Sequence, residues 1–156
     1  IGKMIDAFPN IWKRAVADGH EIGCHTYNHP ALGGQGYDAV AKELDLFMVA
    51  ARKVLGDVPV RYFRPPYGSG WYEPALQQAV ADFGMRLIMW NRINPLDLFS
   101  LDASSQVAAK FREQASPGDI FLYHFNIYEV EATRAIVDFC RSKSWRIVPI
   151  SQLLKA

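Results

Sequence analysis

Two cysteines in 156 residues are too few to build a disulfide framework. Cys24 and Cys140 fall in a predicted strand and a predicted helix far apart in the chain, where each reads as a small buried hydrophobe. Charge of one sign is equally scarce. With 17 Lys and Arg against 16 Asp and Glu the net charge is +1, which gives no basic footprint for nucleic acid or an anionic membrane surface. No apolar run is long enough to span a bilayer, and no internal repeat or low-complexity tract interrupts the chain. What remains is 50% hydrophobic and 21% charged, an ordinary globular composition that is most simply one domain over 1–156. Histidine is rare too, at four residues, yet His20, His25 and His29 lie within ten positions of one another.

Taken in order, Ile1-Gly2 resembles the end of a strand, and Phe8-Pro9-Asn10 leads into a helix from Ile11 to Asp18 that Gly19 stops. His20, Ile22 and Cys24, alternating with Glu21 and Gly23, predict a short strand. From Tyr37 to Leu55 the residues Val40, Leu44, Phe47, Met48, Ala51 and Leu55 recur at three- and four-residue steps, an amphipathic helix closed by Gly56. Further strands are predicted over 58–63, 85–90, 120–123 and 146–150, with helices over 74–83, 104–115 and 129–142 between them. Helix and strand therefore alternate, and the strands are near-continuous apolar runs. That pattern predicts an α/β fold, a parallel sheet covered by helices, either doubly wound or closed into a barrel.

The unusual polar residues all sit just past the C-terminal end of a predicted strand: His25 and His29, then Arg64 and Tyr67, then Asn94 and Asp97, then His124. In parallel α/β folds those ends share one rim, and the rim holds the active site. Should the chain turn helically after Cys24, His25 and His29 share a face at i and i+4 and could grip one divalent metal, most plausibly zinc. Two polar loop residues would give the same spacing. The motif is not the metalloprotease HExxH, because Thr26 stands where that chemistry needs its glutamate. Pro65-Pro66 stiffens the loop after Arg64. His124 is either a core histidine or a general acid/base.

In this order and at these separations, GHEIGCHTYNHP, RPPYG, W…NPLD and LYH resemble the motifs of the polysaccharide deacetylases of the NodB-homology type, carbohydrate esterase family 4. The resemblance runs from Ile1 to Leu154 and implies an irregular (β/α) barrel and a metal-dependent deacetylase of sugar polymers. It implies that His25 and His29 are metal ligands, Arg64 orients the base, the Tyr67 backbone N–H stabilises the oxyanion, and His124 is the general acid. Leu122 would line the acetate pocket, and Asn94 and Asp97 would face the substrate. Secretion or a place in the cell envelope is typical of such proteins.

The family's first motif, a TFDDG-like strand end carrying the base and an aspartate ligand, is absent, and only about two dozen residues precede His25. The expectation is therefore a barrel incomplete at its N-terminus, lacking two strands, with an incomplete metal site and little turnover by these residues alone. The open edges, His20 to Cys24 and Arg146 to Ile150, would favour a homo-oligomer or completion by a partner subunit. Asn94 stands where the family has an aspartate and Leu98 where it has an aromatic. The alternative reading is therefore a degenerate domain that binds carbohydrate without hydrolysing it.

Overall fold

In the computed structural model, which describes residues 1–91 and 103–155, the chain divides into two units, Ile1–Met89 and Trp90–Ala156, each with its own apolar core. In the first unit the helices are α1 (Gly2–Ala7), α2 (Pro9–Ala17), α3 (Tyr37–Leu55) and α4 (Pro74–Asp82). Pro9 and Pro74 each open a helix, where a missing N–H costs nothing. The apolar stripe of α3 does what its periodicity requires. Val40, Leu44, Phe47 and Ala51 are buried together with Leu76, Ala79 and Val80 of α4 and with Ile5 of α1. Gly56, at φ +70°, ends α3 in a conformation that a side chain would strain.

The sheet is small. Strand β1 (Tyr62–Phe63) pairs in parallel with β2 (Arg86–Leu87), and Cys24 forms an isolated parallel bridge to Phe63. Three extended segments thus lie side by side with their C-terminal ends pointing one way, releasing the chain at His25, Arg64 and Ile88. The parallel arrangement expected from the sequence is present, but the predicted strands were drawn too long. Over 20–23 no strand forms, because the His20 N–H donates to Ala15 O at 3.0 Å and closes the end of α2. The 58–63 segment pairs only from Arg61 O, which accepts from Arg86 N. Ile1-Gly2 is not a strand end either: Ile1 caps α1, whose first amides, Gly2 N and Lys3 N, donate to Thr26 O and Tyr27 O at 2.9 and 3.2 Å. A Cβ on Gly2 would meet Tyr27 Cα at 3.1 Å, so the close approach of α1 to that loop needs glycine.

The second unit holds α5 (Ser104–Gln114), α6 (Ile127–Ser142) and the short α7 (Ile150–Leu153). Val107, Ala108 and Phe111 of α5 pack with Ala132, Ile136 and Cys140 of α6, and Phe121 stacks on Phe111 with ring centroids 4.3 Å apart. Among its described residues there is no strand. Over 120–123 the Ile120 N–H is taken by the Asn91 side chain rather than by a neighbouring backbone. Over 146–150 Pro149 has no donor and instead caps α7. Neither stretch whose edges were expected to lie open is a strand.

Candidate functional site

The chain enters the first loop from the bridge at Cys24, whose N–H donates to Tyr62 O at 2.7 Å while Arg64 N donates back to Cys24 O at 3.0 Å. Those two bonds set His25 beside Arg64. The His25 Nδ1 lies 2.6 Å from Arg64 O. A carbonyl only accepts, so Nδ1 carries the ring proton and Nε2 keeps the lone pair a metal would need. Burial pulls the His25 pKa down to about 4, against the opposing pull of the Arg64 carbonyl, and the neighbouring His29 lowers it further. The ring is therefore neutral, the form that ligates, throughout the physiological range.

His29 reaches the same place without a helix. The loop turns through two left-handed residues, Thr26 at φ +64° and His29 at φ +65°. For the β-branched Thr26 that conformation is strained. It is held because Thr26 is fully buried and its Oγ1 accepts from His29 N at 2.9 Å. The two imidazoles end edge to face, centroids 4.9 Å apart and planes at 68°. The expected convergence is there, but its cause is backbone strain and not an i, i+4 helical face.

The second loop meets the first. Tyr67, at φ +59°, sits in a 3-10 turn (Pro66–Gly68) closed by Gly68 N to Pro65 O and Ser69 N to Pro66 O, neither of which uses the Tyr67 amide. Its exposed ring packs edge-on against His29 at 4.8 Å, and its hydroxyl lies 3.2 Å from His29 Nδ1. Among the described residues, three of the four non-glycine residues with positive φ thus fall in these two loops, which is how strain gathers at a site. Arg64 points along the sheet ends, its Nε donating to Ile88 O at 3.1 Å and its Nη2 to Met89 O at 3.3 Å, and burial lowers its pKa. The loops are also stitched outside the site. Gly33 N donates to Ser69 Oγ at 2.8 Å, Gly34 N donates to Glu73, and Gly70, at φ +76°, lets the two backbones touch.

His25, His29, Arg64 and Tyr67 are thereby brought together. His124 and the half-buried Leu122 belong to the second unit, and Asn94 and Asp97 lie outside the described residues. Two carboxylates escaped the sequence reading. Glu43 of α3 accepts from Tyr27 N at 3.1 Å, Asn28 N at 2.8 Å and Asn28 Nδ2 at 2.7 Å, fastening the histidine loop from behind. Glu129 of α6 accepts from His124 N at 2.8 Å. The sequence did carry a signal for Glu129, the cap-like spacing Asn126-x-x-Glu129. For Glu43 it carried none.

The donor chemistry fits two ligands of a divalent metal such as zinc, both rings braced through Nδ1. Among the described residues no third His, Cys, Asp or Glu completes a cluster, and structural or catalytic zinc usually takes at least three protein ligands.

Known proteins resemble this chain closely enough to be informative. Residues 1–88 match the polysaccharide deacetylase family model. A chitooligosaccharide deacetylase of Azorhizobium caulinodans is 28% identical over 124 residues, 80% of this chain and 57% of that protein. A peptidoglycan-N-acetylglucosamine deacetylase of Bacillus cereus is 26% identical over 160 residues, 99% of this chain and 56% of that protein. The chain therefore spans about half the length of the curated relatives it matches. In fold it is similar to a CE4 family pseudoenzyme from Bacillus anthracis, with a TM-score of 0.87 at 23% identity over 98% of this chain and 53% of that one. The match to the family model covers more than half of the 156 residues and includes both site loops, and the chain belongs to the polysaccharide deacetylase family.

Proposed function

We propose that the protein contributes the larger part of a metal-dependent deacetylase acting on acetamide or acetyl ester groups of sugar polymers of the chitooligosaccharide or peptidoglycan kind. The observation that carries the reading is the His25–His29 pair, two imidazoles 4.9 Å apart with the His25 proton fixed on Nδ1 by Arg64 O. His25, with its Nε2 lone pair, and His29 would hold the metal. A divalent ion bound there supplies Lewis-acid polarisation of the acetyl carbonyl and a more acidic water. Arg64 presents a guanidinium in a fixed pose to orient a carboxylate base, and the Tyr67 amide donates to the oxyanion as the carbonyl carbon becomes tetrahedral. His124 gives a proton to the departing amine. Leu122 lines the acetate pocket, and Asn94 and Asp97 meet the sugar. A protein of this class acts on polymers outside the cytoplasm, so secretion or a cell-envelope location belongs to the proposal.

Asn94, where the family carries an aspartate, favours a second reading, a domain that binds the sugar without cleaving it. Mass spectrometry of N-acetylated chitooligosaccharide and of peptidoglycan fragments, incubated with the protein and zinc, separates the two. Loss of acetyl groups that stops in the His25→Ala variant supports the deacetylase. Saturable binding with intact acetyl groups selects the second reading, and neither binding nor turnover sinks both.

A further inference from the structure

Glu129 is fully buried, the one charged side chain so placed among the described residues. It lies in the first turn of α6, three residues after the N-cap Asn126. The Asn126 Oδ1 accepts from Glu129 N at 2.9 Å, and the Glu129 Oε1 accepts from Asn126 Nδ2. A glutamate at this position ordinarily reaches back to the backbone of the capping residue. This one reaches further. Its Oε2 accepts from the His124 backbone N–H at 2.8 Å, and its Oε1 stands 3.4 Å from His124 Nδ1, ion-pair distance. A single carboxylate therefore addresses both the main chain and the ring of the same histidine. The Tyr123 hydroxyl and His124 Nδ1 are both buried and neither makes a hydrogen bond among the described residues, so the 3.4 Å approach of Nδ1 to Glu129 is an ion-pair contact for which the hydroxyl does not compete. Burying a carboxylate is costly unless it is paired and hydrogen-bonded. Capping α6 does not require it, since Asn126 already satisfies a first-turn amide.

We propose that Glu129 is the positioning residue of His124, holding the ring with Nδ1 turned inward and protonated so that Nε2 is the nitrogen presented for proton transfer. The proposal rests on reading His124 as the general acid. The protons balance: the imidazolium carries a proton on each nitrogen, and the Nε2 proton passes to the amine nitrogen as its bond to the acyl carbon breaks. The neutral ring then keeps its Nδ1–H facing the Glu129 carboxylate. A third group that orients an acid or base in this way recurs wherever imidazole shuttles protons.

Nitrogen NMR on protein labelled with ring-15N histidine reads the tautomer directly, and four histidines leave it assignable by substitution. The expected result is the Nδ1–H tautomer for His124 in the parent protein and a switch to Nε2–H in Glu129→Gln. The Gln carbonyl can keep the His124 backbone bond while its NH2 donates to Nδ1. Asn126→Ala, which loosens the cap and leaves the carboxylate, keeps the Nδ1–H form. An Nε2–H tautomer in the parent overturns the proposal, as does an unchanged tautomer in a folded Glu129→Gln protein. If that variant does not fold, the parent and Asn126→Ala still decide. Where the parent turns over acetylated sugar, Glu129→Gln lowers kcat by about 10- to 100-fold with little change in KM. The tautomer needs no turnover: a parent without deacetylase activity removes the acid role of His124 and leaves the ring geometry standing.

Discussion

Two loops in this chain carry histidines, each is braced by a helix-borne glutamate, and the two braces differ in what they touch. Glu43 spends its oxygens on Tyr27 N, Asn28 N and Asn28 Nδ2, and so holds the His25–His29 loop by its frame without a hydrogen bond to either imidazole. Glu129 holds the His124 backbone and also faces its ring. The distinction matches the chemistry proposed for each. A metal ligand must stay neutral and keep its lone pair, and a carboxylate against the ring would favour the imidazolium instead. A proton donor has no lone pair to keep for a metal, and a carboxylate facing its ring does not conflict with the role proposed for His124.

The comparison is broken first at the proposed ligands. His25→Ala and His29→Ala should each weaken zinc binding by more than the roughly 10- to 100-fold typical of losing an outer-shell partner. Isothermal titration with affinity unchanged in both variants would remove the metal site. The next effect is on stability against pH in metal-free protein. Folded His25 stays neutral down to about 4, whereas in the unfolded chain it protonates near its ordinary 6.5. As pH falls through that window only the unfolded state gains the proton. Stability is therefore full above about 6.5 and lower by about 3 kcal/mol near pH 4. Urea titrations across that range should show the slope, and His25→Asn should flatten it; a slope that survives in the variant assigns it elsewhere.

Glu43→Gln sharpens the contrast. It should weaken zinc binding by about 10-fold or more while leaving the His124 tautomer untouched, since the two glutamates serve different loops. Equal effects of Glu43→Gln and Glu129→Gln on the His124 ring signal would mean that the braces are not specialised. The smallest change expected is Tyr67→Phe. It deletes one hydroxyl 3.2 Å from His29 Nδ1 on an exposed side chain, and zinc affinity should fall only a few-fold. A loss as large as that of His29→Ala would make the tyrosine a ligand in its own right.

Much of the frame was legible from periodicity alone. The helix from Tyr37 to Leu55 has the predicted bounds because a stripe of Val40, Leu44, Phe47 and Ala51 can be buried in only one conformation, and glycines flank it. The strands were less legible. An apolar run records burial, but a ladder needs a neighbour for each amide, and at His20 and Ile120 the amides found Ala15 O and the Asn91 side chain. The candidate site residues His25, His29, Arg64 and Tyr67 could be named from their motifs, and their meeting could be expected from parallel strand ends. Its means could not. Left-handed backbone at the β-branched Thr26 is a property that no propensity for that residue type suggests. Glu43 sits in an ordinary helical position, and only the fold shows that it faces the loop.

The fastening of α1 to the histidine loop has a thermodynamic consequence. Gly2 N, Lys3 N, the Thr26 hydroxyl and Glu43 fix Thr26 through His29 entirely with contacts supplied by the protein. A metal arriving at these imidazoles has little chain to order, unlike one that must fold its own loop around it. Calorimetry should therefore record a near-zero heat-capacity change on zinc binding, since scarcely any apolar surface leaves water in the process. The ion would be a guest in a furnished room, and its removal would leave the walls standing.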